Sequence, residues 1–448
     1  MRCCALSLLL LFLAGDVVDA STQDAFGVHR LLVYCDSKPK LALVLAHEND
    51  EDFDFLRIPR SFDEPVDVLV TADGVNRFKD ELRSNNIGFE VLTEDVSQVP
   101  QEETRHDRRK RYASDDYNII DFKSYPRYQE IQAYLEIIDQ KYRFVKYKVL
   151  GFTFENRQIM GIKFSSGGEE RKPAVFIDAG IHAREWIAPT TALYAIKQLA
   201  ENASNYHLFQ NVDIYIIPLA NPDGYEYTHY NQTTKYWRKT RTVYNFTECL
   251  GADANRNFEL EWMTVGASDR PCSGTYAGSR PFSEAEARAI RDFILARRDR
   301  IVVYLTLHSF GQYFLHPWGF TTALPANEPT LRCTANAALN ELRKVRGTEY
   351  KVGSSTNVLY AASGGSDDWA MGIAGIPIVF TIELPPLPGN IENFFPPVKE
   401  IEPVGRETFE AIKVFIRYAN GEVCTASQPL QIAPSQVDDS DRPFTVTP

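Results

Sequence analysis

AVFIDAGIHAREWIAPTTALYAIKQLAENASNYHLFQNVDIYIIPL, residues 174–219, decides the fold. It opens on a near-continuous apolar run, Ala174–Asp178, and closes on another, Val212–Leu219, with a helical stretch, Thr190–Ala200, between them. Apolar runs without alternation suit strands buried on both faces, and a helix linking two such strands suits a parallel pair. The pattern continues downstream. Val302–Leu307 and Ile376–Ile382 read as further buried strands, and Glu284–Arg297, Leu331–Arg346 and Pro403–Tyr418 as helices. Upstream, Ile131, Tyr134, Leu135 and Ile138 fall at the i, i+3, i+4, i+7 spacing of an amphipathic helix. Residues 112–424 are therefore expected to form an α/β fold, a mixed and mostly parallel sheet flanked by helices.

A smaller module precedes it. Val28–Tyr34, Asp54–Ile58, Val66–Thr71 and Gly88–Leu92 read as strands, with Lys38–His47 and Val75–Leu82 as helices. The order βαββαβ predicts a ferredoxin-like α+β domain. Residues 99–116, VPQEETRHDRRKRYASDD, are charged and lack apolar periodicity, so they read as a linker. The run Arg108-Arg109-Lys110-Arg111 within it invites cleavage by a trypsin-like or furin-like protease.

The 448 residues suffice for two to three domains. Hydrophobic residues at 44% and charged residues at 24% match globular usage and exclude a mostly disordered chain, a collagen or a coiled coil. A net charge of −12 argues against a nucleic-acid partner. Residues 1–20 carry Arg2, the apolar run Ala5–Ala14 and a small-residue site at Val18-Asp19-Ala20, the pattern of a secretory signal peptide. No later stretch reaches the ~18 apolar residues of a membrane anchor, so a secreted protein is expected. Secretion permits disulfides among Cys35, Cys249, Cys272, Cys333 and Cys424, of which an odd number leaves one over. Sequons at Asn202, Asn231 and Asn245 agree with a secretory route and N-glycosylation. The polar, Pro-containing segment 425–448 reads as a disordered tail.

Polar residues stand just past the strand-like runs: His182, Asn221, His308 and Glu383. Ligands of open α/β sheets sit at the carboxyl ends of the strands, so these four outline one rim. His182 and Glu185, three apart, can reach one metal from a tight turn, and His308 is the best candidate for a distant third ligand. Two His and one Glu form an open catalytic zinc set.

Seven stretches then resemble the zinc procarboxypeptidases of the A/B subfamily: IHAREWIAP (181–189), ANPDGYEYT (220–228), YWRKTR (236–241), GADANRNF (251–258), LHSFGQ (307–312), YAASGGSDDW (360–369) and FTIEL (380–384). The resemblance implies one Zn2+ on His182, Glu185 and His308, with Glu383 as general base and Arg238 beside the scissile carbonyl. It implies that Asn255 and Arg256 grip the substrate's terminal carboxylate under Tyr360, and that Arg184 lines the neighbouring subsite. Asp367, seven residues after Tyr360, resembles the pocket acid of the B type, which accepts Lys or Arg; Gly319 would open the pocket floor. A Cys249–Cys272 disulfide is implied, and Cys333 with Cys424 is a second candidate pair.

The implied organisation is signal peptide (1–20), propeptide domain (21–98), activation linker cut at Arg111 (99–111), catalytic domain (112–424) and tail (425–448). The expected activity is removal of one C-terminal Lys or Arg from a peptide. Three departures bear on this. One extra residue separates Trp369 from Glu383, and LPPLPGNIENFF follows it where the family often has Arg after Leu. Phe310 stands where the family often has Tyr. An A-like pocket for aromatic or aliphatic residues is the alternative. A catalytically silent relative would lack a ligand or the base, and here every candidate is present.

Overall fold

The computed structural model describes residues 28–93, apart from 49, 51, 60, 61 and 63, and residues 120–424, apart from 169–170, 232–233 and 387–393. The expected signal peptide, the activation linker with Arg111 and the tail lie outside the described residues.

The N-terminal domain is built in the order β1 (Val28–Tyr34), α1 (Lys38–Leu45), β2 (Phe53–Arg57), β3 (Val66–Thr71), α2 (Ala72–Ser84) and β4 (Gly88–Thr93). Its four strands pair antiparallel in the order β2-β3-β1-β4. Alternation along β1 and β3 sends Leu31, Val33, Val66, Val68 and Val70 to one face. There they meet Val75, Phe78 and Leu82 of α2. The Thr71 hydroxyl caps α2 by accepting from the Gly74 amide. Among the described residues the other face has no helix of its own. Its Leu69 packs with Phe394 and Phe395 of the larger domain.

The larger domain runs α3 (Tyr128–Lys141), β5 (Val145–Phe152), β6 (Gln158–Phe164), β7 (Ala174–Ala179), α4 (Ile187–Glu201), β8 (Asp213–Ile217), α5 (Pro222–Thr228), α6 (Ala285–Leu295), β9 (Ile301–Ser309), β10 (Tyr313–His316), α7 (Glu328–Arg346), β11 (Lys351–Ser354), α8 (Ser355–Val358), α9 (Ser366–Gly372), β12 (Ile378–Leu384) and α10 (Ile401–Ala419). Eight strands lie in the order β11-β10-β12-β9-β7-β8-β6-β5. Four of the seven ladders are parallel: β11–β10, β12–β9, β9–β7 and β7–β8. The others are antiparallel.

Every residue of β7 and β8 is buried. This follows from cover on both faces. Ile177, Ile214 and Leu305 point toward the side of α3, α4, α7 and α10, while Phe176, Tyr215 and Tyr304 point toward α6 and α9. Cys249 is bonded to Cys272 and Cys333 to Cys424, leaving Cys35 free and buried. The second pair ties the N-terminal half of α7 to the chain just past α10.

Candidate active site

Strand register assembles the site. β9 and β12 run parallel with His308 opposite Glu383, so both leave the sheet at the same level. The neighbouring strand, β7, ends at Gly180, whose φ is +67° and whose added Cβ would meet Pro189 at 2.8 Å and Leu219 at 2.9 Å. A glycine alone fits this turn, and the turn delivers His182 and Glu185 to the same rim.

His182, Glu185 and His308 are buried and offer ligand atoms that all lie within 4.8 Å of one another. Nδ1 of His182 is 2.7 Å from Glu185 Oε1 and 3.1 Å from His308 Nδ1. Each ring's second nitrogen is engaged from behind. His182 Nε2 faces Asp253 at 3.1 Å, and His308 Nε2 faces the Thr306 hydroxyl at 3.1 Å. Such outer partners fix the imidazole orientation for a metal. The Ser309 amide donates to Glu185 Oε2. Burial opposes charge here, but His182 and His308 hold the Glu185 pKa below the ordinary range. Burial likewise opposes the His308 imidazolium, yet Glu185, Glu383 and Asp178 lift its pKa to about 9. A cluster with this surplus of negative charge and two converging imidazoles suits a dication. The donor set is that of an open zinc site.

Glu383 lies beside the cluster, and burial lifts its pKa to about 8. The guanidinium of Arg238 bonds Asp253 Oδ2 at 2.8 and 3.0 Å and comes within 3.9 Å of Glu185. Arg256 is held by the carbonyls of Gly266 (2.8 Å) and Asn255 (3.0 Å), which accept without cancelling its charge. Asn255 Oδ1 accepts from the Ser366 amide. Asp253, buried among these groups, is a member that the sequence reading passes over. Burial raises its pKa, but Arg238, His182 and Arg256 outweigh that and hold it well below the usual carboxylate range. Its sequence signal was slight, an acid between two alanines in GADANRNF.

A cavity of about 150 Å3 joins these residues to Tyr360, Asp367 and Gly319. Asp367 is buried and accepts from the Thr381 hydroxyl at 3.0 Å and, more weakly, from Ser355 at 3.4 Å. Adjacent Asp368 is turned away, taking the Gly319 and Phe320 amides. Gly319 lines the cavity, but its missing Cβ is required for another reason. An added Cβ would lie 2.7 Å from the Ala362 carbonyl oxygen. Asn221 is not at the rim as read from its strand-end position. It is fully buried, capping α5 at the Gly224 amide and donating to the Ile181 and Lys239 carbonyls. His47 pairs with Glu81, His229 stacks on Trp186, and His316 bonds the Pro317 carbonyl, so these three are structural.

The N-terminal domain closes the cavity. Glu48, Phe53, Asp54, Phe55, Leu56 and Ile58 all line it. Asp54 accepts from Arg184, which is buried and also stacks on Phe394 at 4.3 Å. Burial raises the Asp54 pKa, but the Arg184 and Arg238 guanidiniums overcome it and leave it lowered. The sheet face bearing Leu69 seats on an aromatic rim of Phe394, Phe395, Trp186, Tyr236 and Phe310.

Residues 131–411 match the family model described as zinc carboxypeptidase. The chain belongs to the zinc carboxypeptidase family. Residues 33–103 match the carboxypeptidase activation peptide, so the chain is a zymogen of that family. It is 45% identical over 302 residues to the carboxypeptidase B of Astacus astacus, covering 67% of this chain and 98% of the relative. It is 33% identical to the carboxypeptidase A2 of Rattus norvegicus, covering 92% and 98%. Among solved structures, the carboxypeptidase A from Helicoverpa armigera superposes with a TM-score of 0.78 at 31% identity, covering 88% of this chain and 98% of that one. His182, Glu185 and His308 could hold the metal ion after which the zinc carboxypeptidase family is named. Among the described residues no helix is long and apolar enough to cross a membrane.

Proposed function

We propose that the chain is the secreted precursor of a zinc carboxypeptidase that removes C-terminal Lys or Arg. The observation carrying the specificity is Asp367. It is a buried carboxylate on the cavity wall with only hydroxyl partners, Thr381 and Ser355, and no ion pair among the described residues. A buried charge without a counter-ion is costly, so a cationic substrate side chain is the favoured occupant. The names of relatives include both A and B types, so an A-like pocket is the competing reading.

The residues divide the reaction as follows. Arg256 and Asn255 take the terminal carboxylate of the peptide, a recognition that Arg suits by its planar fork. Tyr360 and Arg184 bound the chain on either side of the scissile bond. Zinc held by His182, Glu185 and His308 would supply Lewis acidity, lowering the pKa of water toward ~7 and polarising the carbonyl. Arg238 adds positive charge next to that oxygen. Glu383 takes the proton released by the attacking water and returns it to the leaving amine nitrogen as the C–N bond breaks. In the precursor, Asp54 holds Arg184 and the N-terminal domain fills the entrance. Cleavage after Arg111 by a trypsin-like or furin-like protease would release it. The two disulfides fit an oxidising, secretory compartment.

Kinetics of Asp367→Ala on processed protein test the reading. Release of Arg should fall by about 100-fold or more, in line with loss of a desolvated charge pair, while release of Leu should hold or rise. Undiminished Arg release would sink the assignment.

A further inference from the structure

On the face of the large sheet that carries α6, the two outermost strands are left partly bare. α6 reaches β5 near Gly151, where an added Cβ would lie 3.7 Å from Ala289. Beyond it, Lys146 and Lys148 of β5 and Lys163 of β6 share a cavity of about 270 Å3 with Arg297 and Arg300. A second hollow, about 380 Å3, shares Lys146 and Lys163 and adds Arg143 and Tyr206. Six cations thus line one continuous groove, and no acid lines either hollow. Asp213 beneath it engages Lys163 at 2.8 Å and Arg300 at 3.2 Å. Lys146, Lys148 and Arg143 make no ion pair among the described residues, in a chain whose net charge is −12. The groove sits at the first residues of β7 and β8, Ala174 and Asp213, opposite the catalytic rim.

The last described residues lie at the same corner. Glu422 accepts from Asn420 and Arg417 and lies within electrostatic range of His207. His207 adjoins Tyr206, whose ring packs on Phe144 at 5.6 Å above the second hollow. Cys424 is anchored to Cys333, and 14 residues further comes Asp438-Asp439-Ser440-Asp441. A chain of that length spans about 21 Å on average and ~46 Å at full stretch.

We propose that Asp438, Asp439 and Asp441 dock intramolecularly in the basic groove on the β5–β6 edge. Tethering supplies an effective concentration on the order of millimolar, so pairs that are individually weak suffice. The contact would hold segment 425–448 on the side of the molecule away from the cleft.

Zero-length carbodiimide cross-linking of the full chain, with its intact mass confirmed, tests this. Peptide mapping should join Asp438–Asp441 to Lys146, Lys148 or Lys163 within one copy, checked by mixing isotope-labelled and unlabelled protein. The yield should drop at least about 10-fold in roughly 0.5 M NaCl, where the Debye length is short. It should drop about 3-fold or more in Arg143→Glu/Arg297→Gln, which keeps every cross-linkable lysine. A chain ending at Cys424 should bind a heparin oligosaccharide more tightly than the full chain, because the groove is then vacated. Links spread over lysines elsewhere, links between copies, or equal heparin affinity of the two chains would each overturn the proposal, the last assigning the groove to an external polyanion.

Discussion

Asp253 divides its two carboxylate oxygens between His182 with the Asn255 amide on one side and Arg238 on the other. It thereby aligns at once the candidate metal ligand His182, the Arg238 guanidinium proposed for the oxyanion and the turn proposed to bind the terminal carboxylate. Asp253→Asn should weaken zinc binding about 10–100-fold, the usual cost of losing a ligand's outer partner. Competition against a chelator of known affinity measures this, and unchanged affinity would mean that Asp253 does not orient His182. A second buried acid behaves differently. Glu286 of α6 is fully buried with neither oxygen partnered, and burial plus Glu284 lift its pKa to about 8. Its folded pKa lies above the unfolded one, so its contribution is fully present below about pH 4 and is lost as pH rises toward 8. The loss runs at about 1.4 kcal/mol per pH unit at most. The isosteric Glu286→Gln should therefore gain in melting temperature over the native protein as pH goes from about 5 to about 8. A pH-independent difference would show that Glu286 is hydrated or paired.

Among the elements, those legible beforehand had one strong period. The four strands and two helices of the N-terminal domain are recovered in order, with ends differing by a few residues because helix ends lack an apolar signal. α2, read from Val75, begins at Ala72 because the Thr71 hydroxyl caps it. β5 went unread although Val145, Tyr147 and Val149 alternate with Lys146 and Lys148, a period-2 pattern suited to an edge strand. β10 and β11 have four residues each, too few for any period. The candidate metal cluster was legible because His182 and Glu185 sit in one short motif and His308 lies at the end of a strand. Asp54 was not, because its partner Arg184 is 130 positions away in sequence. That contact ties β2 to the cleft. Asp54→Ala should raise the activity of the uncleaved precursor by about 10-fold or more, since a buried charge pair is broken. Assay of a precursor with Arg111 replaced to block cutting would reveal it. Unchanged latency would shift the hold to the aromatic rim around Phe394 and Phe395.

At the scale of the whole molecule, two folds meet across one cleft. A sheet whose parallel core aligns His182, Glu185, His308 and Glu383 at one edge is capped by the helix-free face of a small antiparallel sheet. In the proposed reading the cap would impose latency, the cluster would hold the zinc, and Asp367 would select the released residue. The measurement that joins these is release of the last residue from matched peptides ending in Arg, Lys, Phe and Leu. It uses trypsin-processed protein with and without a zinc chelator, beside the uncut precursor. Rapid, chelator-sensitive release of Arg and Lys by the processed form alone is the predicted result. Release of Phe and Leu in preference, or release that survives the chelator, would contradict the account.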